Sequence, residues 1–161
     1  MINAIKTEVS QPMASQNKKD ASKKRKITYS QSGVIAFRWR QDELRILLIT
    51  NRKRTHWVIP KGLIELDLSA LQSAEKEAFE EAGIRGLIFD GCLGTYRYKK
   101  WGGFCDVEVF PMKVEKLVDT WPEMAFRNRE WVLPDEAINR VREPGLKHII
   151  ESFKHIAMIY Q

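Results

Sequence analysis

The sequence predicts an α+β domain in which a mixed, partly antiparallel sheet carries helices on its faces. Short apolar runs rich in Val, Ile and Leu recur between turn residues, as in core strands. Two other segments have the apolar spacing of helices, and strands and helices do not alternate strictly, which favours a mixed sheet. The length of 161 residues and the 43% hydrophobic content suit one globular core.

The first 26 residues differ in composition from the rest of the chain. They are rich in Ser, Gln, Asn and Lys, and residues 1–27 hold seven bases against two acids, about +5 of the net charge of +6. We therefore predict a disordered basic tail over residues 1–26 and a folded domain over residues 27–161. A solubilising leader is the favoured interpretation of the tail, and attraction of RNA, phospholipid or polyphosphate is the alternative.

Cysteine usage and hydropathy bear on the compartment. Cys92 and Cys105 are too few for a disulfide framework, and we expect both to be buried thiols in a reducing environment. No apolar run is long enough for a membrane helix, and charged and polar residues stand where a secretory signal would place its apolar stretch. We therefore expect a cytoplasmic protein without a membrane partner.

The first predicted element is a hairpin of two core strands. Gly33–Phe37 and Leu44–Ile49 are apolar runs separated by the polar residues 40–43. A short strand over His56–Ile59 follows. It ends at Pro60, where the chain enters a glycine-containing loop.

A helix is predicted over Ser69–Ala82. This stretch contains no Gly or Pro, Ser69 suits the N-cap, and Gly83 stands where a C-terminal glycine belongs. One stripe of the helix is apolar and mostly small, which lets the helix lie close to a sheet. This stripe consists of Leu71, Ala74, Ala78 and Ala82.

The second half of the chain is predicted to contain further strands and two more helices. We place a hairpin turn at Gly102–Gly103 and an edge or bulge at Pro111. The predicted strands cover residues 87–89, 94–98, 104–114 and the surroundings of Trp131.

A short helix is predicted from Pro134 to Arg142, because Pro and acids suit a first helical turn. Pro144 and Gly145 are expected to break it. The last segment has the spacing of an amphipathic helix that docks on the sheet. Its apolar positions are Leu146, Ile149, Ile150, Phe153, Ile156, Ala157 and Tyr160.

Three glutamates share one face of the predicted helix Ser69–Ala82. Glu77, Glu80 and Glu81 occupy positions i, i+3 and i+4, so their side chains project about one turn apart. Three like charges at this spacing repel one another unless a cation offsets them. A solvated surface is the alternative for such a pattern taken alone, and the preceding glycine loop favours a metal site.

A hard divalent cation suits these carboxylates. Magnesium binds carboxylate oxygens, retains water and commonly binds together with substrate phosphates. It can polarise a phosphoryl oxygen, position a water molecule and lower the pKa of that water, which are the contributions that cleavage of a phosphoanhydride bond needs. We predict Mg²⁺ as the cofactor, with Mn²⁺ as the alternative ion.

Two segments around this helix resemble the Nudix box, which would span residues 62–84 here. The segments Gly62–Leu68 and Lys76–Ile84 keep the register of the pattern, including its Glu, Glu-Glu and Gly spacing. The resemblance implies an α/β/α sandwich and a hydrolase that acts on phosphoanhydrides.

The same resemblance assigns roles to individual residues. It implies that Glu80 and Glu81 are the principal metal ligands and that Glu77 is a ligand or the base for the attacking water. It also implies that the main-chain carbonyl of Lys61 completes the metal shell.

Two positions of the box depart from the family pattern. Leu68 stands where the family has a glutamate, and Lys76 where it has an arginine. In the family these two residues brace the catalytic glutamates, and lysine lacks the bidentate fork of arginine. The loop acids Glu65 and Asp67 are close by but out of register. We predict lower or differently tuned activity rather than loss, because the three helix glutamates remain.

Residues 28–155 resemble, more specifically, the branch of diphosphoinositol polyphosphate and diadenosine polyphosphate hydrolases. Trp57–Gly62, Arg127–Trp131 and Asp135–Ala137 carry this resemblance. In that branch basic residues of several loops hold the phosphates, and plain exposed loop charge is the alternative interpretation here. The matching substrate-binding candidates are Arg52, Lys53, Arg54, Lys61, Lys99, Lys100 and Arg127.

Two further residues are weaker candidates. Glu130 could be a late metal ligand or a general base, although a salt bridge to a neighbouring arginine is the favoured interpretation. Trp101, beside the glycine turn, is a candidate for stacking on a base. Trp57 and Trp131 are expected to be core or pocket-wall aromatics, and His56 is assigned no role.

The leading hypothesis is a Mg²⁺-dependent pyrophosphohydrolase whose partner is a small-molecule polyphosphate. The substrate would be nucleoside-diphosphate-linked, a dinucleoside polyphosphate or an inositol pyrophosphate. One rival is a binding module with weakened or lost catalysis, which Leu68 and Lys76 favour, for RNA or a phosphorylated ligand. The other rival is a pyrophosphohydrolase of RNA 5′ ends or oxidised nucleotides. Nucleic acid bound through the basic tail is not favoured.

Overall fold

The computed structural model describes residues 25–161, so most of the predicted tail lies outside the described residues. The helices are α1 (Ala70–Ala82), α2 (Pro134–Arg140) and α3 (Pro144–Ile156), and a 3₁₀ turn (Ala157–Tyr160) follows α3. The strands are β1 (Thr28–Arg40), β2 (Glu43–Thr50), β3 (Trp57–Val58), β4 (Lys61–Leu63), β5 (Ile84–Ile88), β6 (Gly94–Lys100), β7 (Gly103–Leu117) and β8 (Arg129–Val132).

The eight described strands form one mixed sheet, which confirms the predicted fold class. The order β3-β2-β1-β7-β5 forms its main path, with β4 paired to β1, β6 to β7 and β8 to β2. β1 runs parallel to β7, whereas the other pairings are antiparallel. Strand β1 is therefore central, and its run Val34–Phe37 is fully buried because both faces of the sheet are covered.

The two faces carry separate cores. On one face α1 packs its fully buried alanines Ala74, Ala78 and Ala82 against alternate residues of β1 and β2. On the other face α2 and α3 cover the remaining residues of the same strands, with Ile150 and Phe153 at the centre. The result is an α/β/α sandwich, as predicted.

Helix α1 begins and ends where the sequence predicts. Ser69 accepts from the backbone N–H of Gln72, whose side chain accepts from the backbone N–H of Ser69, so the two residues form a capping box. Gly83 closes the helix in the left-handed region at φ 63°. The position of this helix matters because it carries the three glutamates.

The predicted hairpin turn is displaced by one residue. Trp101 and Gly102 form the turn between β6 and β7, with φ angles of 52° and 70°. Gly103 is instead the first residue of β7, where an added Cβ would overlap the carbonyl oxygen of Ile27. The prediction of Gly102–Gly103 as the turn was therefore wrong. Gly103 serves instead as a strand residue, whose missing side chain lets the backbone of Ile27 approach β7 closely.

Pro111 lies inside the sheet, so its prediction as an edge residue was wrong. It pairs with Ile35 of β1, and its carbonyl accepts from Phe89 N at 3.0 Å on the opposite side of β7. On that side β7 pairs first with β6 and then with β5. The proline falls in the gap between these two partners, where its missing N–H interrupts no ladder.

Several smaller expectations are corrected by the C-terminal half. Helix α2 ends at Arg140, two residues earlier than predicted, and Pro144 begins α3 because proline suits the first helical position. Ile156, predicted to dock on the sheet, is 38% exposed, and Cys92, predicted to be buried, is exposed, whereas Cys105 is buried as predicted.

Among residues 25–161, no helix is long and apolar enough to span a membrane.

Candidate active site

A cleft of about 610 Å³ opens beside the C-terminal half of α1. Its walls come from β1, β6, the segments around β3 and β4, the loop between β7 and β8, and the start of α3. Glu81 and Gly62 line it on the α1 side. Helix α1 and the candidate substrate-binding loops therefore meet in one place.

The three glutamates of α1 differ in burial and in partners. Glu81 is only 8% exposed and accepts from the backbone N–H of Lys61 at 3.0 Å and from Arg127 Nη2 at 2.7 Å. Burial raises the pKa of Glu81, and the charges of Arg127 and Lys61 oppose this shift. Glu81 is thus fixed in position by protein contacts alone.

Arg127 is the centre of a charged network under the cleft. It donates to the carbonyl of Thr50 at 3.0 Å, to Glu81, and to Glu123 from Nε and Nη2 at 3.1 and 2.9 Å. Glu123 accepts a further bond from Arg52 Nη1 at 2.6 Å. Two arginines and two glutamates therefore alternate in a nearly neutral chain.

Glu123 was missed by the sequence analysis. It lies in the loop between β7 and β8, and its backbone N–H donates to the carbonyl of Glu80 at 3.0 Å. Trp121 Nε1 donates to the carbonyl of Glu81 at 3.1 Å, which fastens the same loop to the end of α1. The only sequence signal for Glu123 is that it precedes Arg127 by four residues. That spacing predicts a contact between side chains only within a helix, and this segment is a loop.

Glu77 lies against the glycine loop. A Cβ added at Gly62 would overlap the Glu77 carboxyl, so only glycine permits this approach. Burial, reinforced by the nearby carboxylates Glu81, Glu80 and Glu123, raises the pKa of Glu77 to about 7. Among residues 25–161, Glu77 has no hydrogen bond or ion pair to an oppositely charged side chain. The Glu77 carboxylate therefore has no cationic partner within this part of the chain.

Glu80 is connected to the loop before α1 through Lys76. Lys76 Nζ lies 3.4 Å from Glu80 and also pairs with Glu65, whose backbone N–H donates to Ser73 Oγ at 3.1 Å. The side-chain hydrogen bond to Glu65 raises the pKa of Lys76. Glu65 therefore pairs with Lys76 from the preceding loop, although it is out of register with the box in sequence.

The site fits a magnesium ion that binds together with substrate. Among the described residues, no three His, Cys, Asp or Glu side chains converge as a ready-made metal site. Glu81 is already paired with Arg127, but in the part of the chain that the structure describes Glu77 lacks a cation and Glu80 has only an exposed lysine. Magnesium often binds through one or two carboxylates plus phosphates, and this donor set provides that number.

Most of the predicted substrate-binding residues line the cleft. Arg54 does not line it, because its guanidinium donates to the carbonyl of Ala125 at 2.7 Å. Glu130 is also elsewhere, paired with Arg140 at 2.8 and 3.1 Å, the arrangement favoured from sequence. The candidates that do line the cleft are Arg52, Lys53, Lys61, Lys99, Lys100, Arg127 and Trp101.

These cations are not equally available. Arg127 is buried with its donors engaged, and Arg52 bonds to Glu123 while lying 4.3 Å from the Phe126 ring centroid. Burial lowers the pKa of Lys61, against the attraction of Glu81. Lys53, Lys99 and Lys100 form no ion pair with a carboxylate in the described part of the chain. These three lysines are the cations best placed for phosphate.

The cleft also contains residues to which the sequence assigned no function. Tyr98 donates from its hydroxyl to Gln31 Oε1 at 2.8 Å, and the Gln31 side chain is buried at the cleft wall. His56 and Trp57 line the opposite side, and burial lowers the pKa of His56. Such residues are invisible in the sequence because distant strands bring them together.

The raised pKa of Glu77 predicts how stability depends on pH in the metal-free protein. A carboxyl that binds its proton more tightly when folded loses stability as pH rises from about 4.5, the unfolded value, to about 7. After allowance for solvent screening, we expect Glu77→Gln to be about 1–2 kcal/mol more stable than the parent at pH 8 and nearly equal to it at pH 4, below the unfolded pKa.

Urea unfolding in EDTA at the two pH values measures this difference. Glu75→Gln is the matched control, because Glu75 is exposed on the same helix. A constant difference between Glu77→Gln and the parent at both pH values would contradict the prediction.

The protein is an α+β domain of the class that the sequence predicted. Its sandwich has a glutamate-bearing helix on one face and a cation-lined cleft beside that helix. A family model described as NUDIX domain matches residues 30–153, and the chain belongs to this family. The resemblance inferred from residues 62–84 is thereby confirmed.

Named relatives and a solved structure agree with this assignment. The chain is 32% identical over 119 residues to Nudix hydrolase 16, mitochondrial, of Arabidopsis thaliana, covering 68% of this chain and 66% of the relative. It is 26% identical over 109 residues to diphosphoinositol polyphosphate phosphohydrolase 3-alpha of Mus musculus, covering 66% of this chain and 65% of the relative. The crystal structure of a C. elegans Ap4A hydrolase binary complex superposes with a TM-score of 0.71 at 22% identity, covering 81% and 98% of the two chains.

These similarities support different conclusions about the chain. At 22% identity the solved structure supports the fold alone. The chain spans 61–66% of the length of four Arabidopsis relatives. The name of Nudix hydrolase 16 places that protein in mitochondria, so the cytoplasmic location expected here stays a prediction.

Proposed function

We propose that this chain is a Mg²⁺-dependent pyrophosphohydrolase that cleaves a phosphoanhydride bond. The observation that carries the proposal is the position of Gly62, which lines the cation-rich cleft and also contacts the Glu77 carboxyl. The acidic end of α1 and the basic cleft therefore adjoin. Phosphate groups bound by lysines would lie next to carboxylates that can share a divalent cation with them.

The basic residues would bind and orient the substrate. Lys53, Lys99 and Lys100 extend from two different segments and have no carboxylate partners among the described residues. An ammonium group without an internal partner is free to bind phosphate oxygens. Several such groups from separate segments of one cleft suit a substrate with more than one phosphate.

Glu77, Glu80 and Glu81 would form the catalytic and metal-binding group, with the carbonyl of Lys61 beside them. When bound, Mg²⁺ would polarise phosphoryl oxygens and lower the pKa of a water molecule. Glu77 suits the base role because its carboxylate adjoins Gly62 and has no cationic partner among the described residues, so it can accept a proton from a water molecule. Arg127 holds Glu81 in place and acts as a positioning residue rather than as a phosphate ligand.

We favour three substrate classes, which are inositol pyrophosphates, dinucleoside polyphosphates and other nucleoside-diphosphate-linked compounds. The names of the mouse relative and of the C. elegans hydrolase support the first two. Trp101, which is 53% exposed at the mouth of the cleft, offers a surface on which a base could stack. Lys53, Lys99 and Lys100 suit all three classes, since each class carries linked phosphate groups.

A substrate screen tests the proposal. The full chain is incubated with members of the three classes in Mg²⁺, Mn²⁺ or EDTA, and phosphorus-containing products are separated and quantified. We expect hydrolysis of at least one class with Mg²⁺ and none in EDTA, because the glutamates need a cation to act on an anionic substrate. Tight binding of these compounds without any product in either metal would instead identify a binding module.

A further inference from the structure

A second cavity of about 320 Å³ adjoins the cleft on the outer side of the β6–β7 hairpin. We call it the hairpin groove, and it is lined by Lys26, Lys99, Lys100, Gly102, Gly103 and Phe104. Lys99 and Lys100 also line the cleft, so the two cavities meet at these residues. A chain-like ligand could run from one into the other.

The hairpin groove is positively charged. Three of its lining residues are lysines and none is acidic within the described part of the chain. Its lysines form no ion pair with a carboxylate among residues 25–161. The nearby acid Asp106 is already bound by Arg97 through two hydrogen bonds of 2.6 and 2.8 Å. The lysines are therefore available to an anionic ligand.

Aromatic side chains lie beside these cations, with Phe104 in the hairpin groove and Trp101 in the adjoining cleft. Trp101 is half exposed at the hairpin tip, and its ring packs edge-on against Tyr29 with 5.1 Å between centroids. Lys100 Nζ lies 4.4 Å from the Trp101 centroid, while Lys26 Nζ lies 5.4 Å from that of Phe104. The indole is held by neighbours while about half of its surface stays open to a ligand.

We propose that the hairpin groove, together with Trp101 of the adjoining cleft, binds a segment of single-stranded nucleic acid, with phosphates on Lys26, Lys99 and Lys100 and a base stacked on Trp101. Lysines that follow a backbone and exposed aromatics that accept bases are the combination such ligands require. A polyphosphate without bases would use the lysines and gain nothing from the tryptophan. This site goes beyond the proposed hydrolysis, and apart from Lys26 its residues lie in the folded domain rather than in the basic tail.

Binding of a fluorescent oligouridylate of about ten nucleotides tests this site. Fluorescence anisotropy is measured on the full chain in EDTA over a series of salt concentrations, so the result is independent of turnover. We expect a Lys26→Gln, Lys99→Gln, Lys100→Gln triple variant to bind at least tenfold more weakly. Its plot of log affinity against log salt should be shallower by about 2, since each phosphate contact on a single strand contributes about 0.7.

The matched control removes the same charge elsewhere. Lys113→Gln, Lys116→Gln and Lys147→Gln together change residues that line neither cavity, and this variant should bind like the parent. Equal weakening in the two triple variants would show attraction to net charge only and overturn the proposal.

Trp101→Ala separates nucleic acid from other polyanions. Loss of one stacked base should weaken oligouridylate binding about tenfold and leave the binding of inorganic polyphosphate unchanged. Circular dichroism of this variant verifies that the hairpin change leaves the fold intact. Oligouridylate affinity equal to that of the parent, or an equal loss for both ligands, would overturn the assignment to nucleic acid.

Discussion

Replacement of Glu80 by glutamine is expected to lower kcat/KM for Mg²⁺-dependent hydrolysis by about 10³-fold, the scale on which loss of one charged catalytic group acts. Glutamine keeps the shape of the side chain but removes the negative charge that would attract a divalent cation. Glu80 is the most informative of the three glutamates, because its only ion pair in the described chain is with Lys76 and its side chain is 37% exposed.

The fold should survive this change. Exposed ion pairs contribute at most about 1 kcal/mol, so the free energy of unfolding should shift by no more than that. Glu75→Gln is the control, since it removes the same charge from an exposed position of the same helix and should keep parental activity. Both variants are compared by product release under saturating Mg²⁺ and by urea unfolding. Activity of Glu80→Gln within tenfold of the parent would contradict the proposed metal site.

Replacement of Arg127 by methionine is expected to lower the free energy of unfolding by about 3–5 kcal/mol. The side chains of Arg127 and Glu81 are 8% and 10% exposed, and their ion pair measures 2.7 Å. Removal of one partner leaves a buried carboxylate without its counter-charge, and that uncompensated charge is the main source of the loss. Urea denaturation at pH 8 gives the value.

Arg52→Met is the matched control, because Arg52 pairs with the same Glu123 but its side chain is 57% exposed. It should cost no more than about 1 kcal/mol. A double variant with Arg127→Met and Glu81→Gln should recover part of the stability, since the buried charge is removed with its partner. Equal losses in Arg127→Met and Arg52→Met would show that burial does not govern this network.

The departures of the box from its family pattern now have a structural explanation. Leu68 cannot supply the acid expected at its position, but Glu65 approaches Lys76 from the preceding loop. Lys76 in turn lies 3.4 Å from Glu80. A brace with different members thus lies beside the glutamates, which agrees with the expectation of tuned rather than lost activity. That expectation stays a prediction until the variants are assayed.

Local physics made much of the fold predictable from the sequence. Ser69 and Gly83 mark the ends of α1 because capping depends only on neighbouring residues. The same holds for the hairpin of β1 and β2, whose turn uses Gln41 and Asp42 at φ angles of 52° and 61°. Where the prediction failed, as at Pro111, the outcome depended on which strands lie on either side of β7.

The sequence by itself determined the register of Glu77, Glu80 and Glu81 on one helix and the family of the domain, since both follow from spacing along the chain. Only the tertiary structure decided that Glu81 is buried with Arg127, that Glu77 has no cationic partner within residues 25–161, and that Glu123 joins the site. The physical reason is that burial and charge pairing depend on which segments fold together. Arg127 lies 46 residues from Glu81 in sequence, and no local pattern connects them.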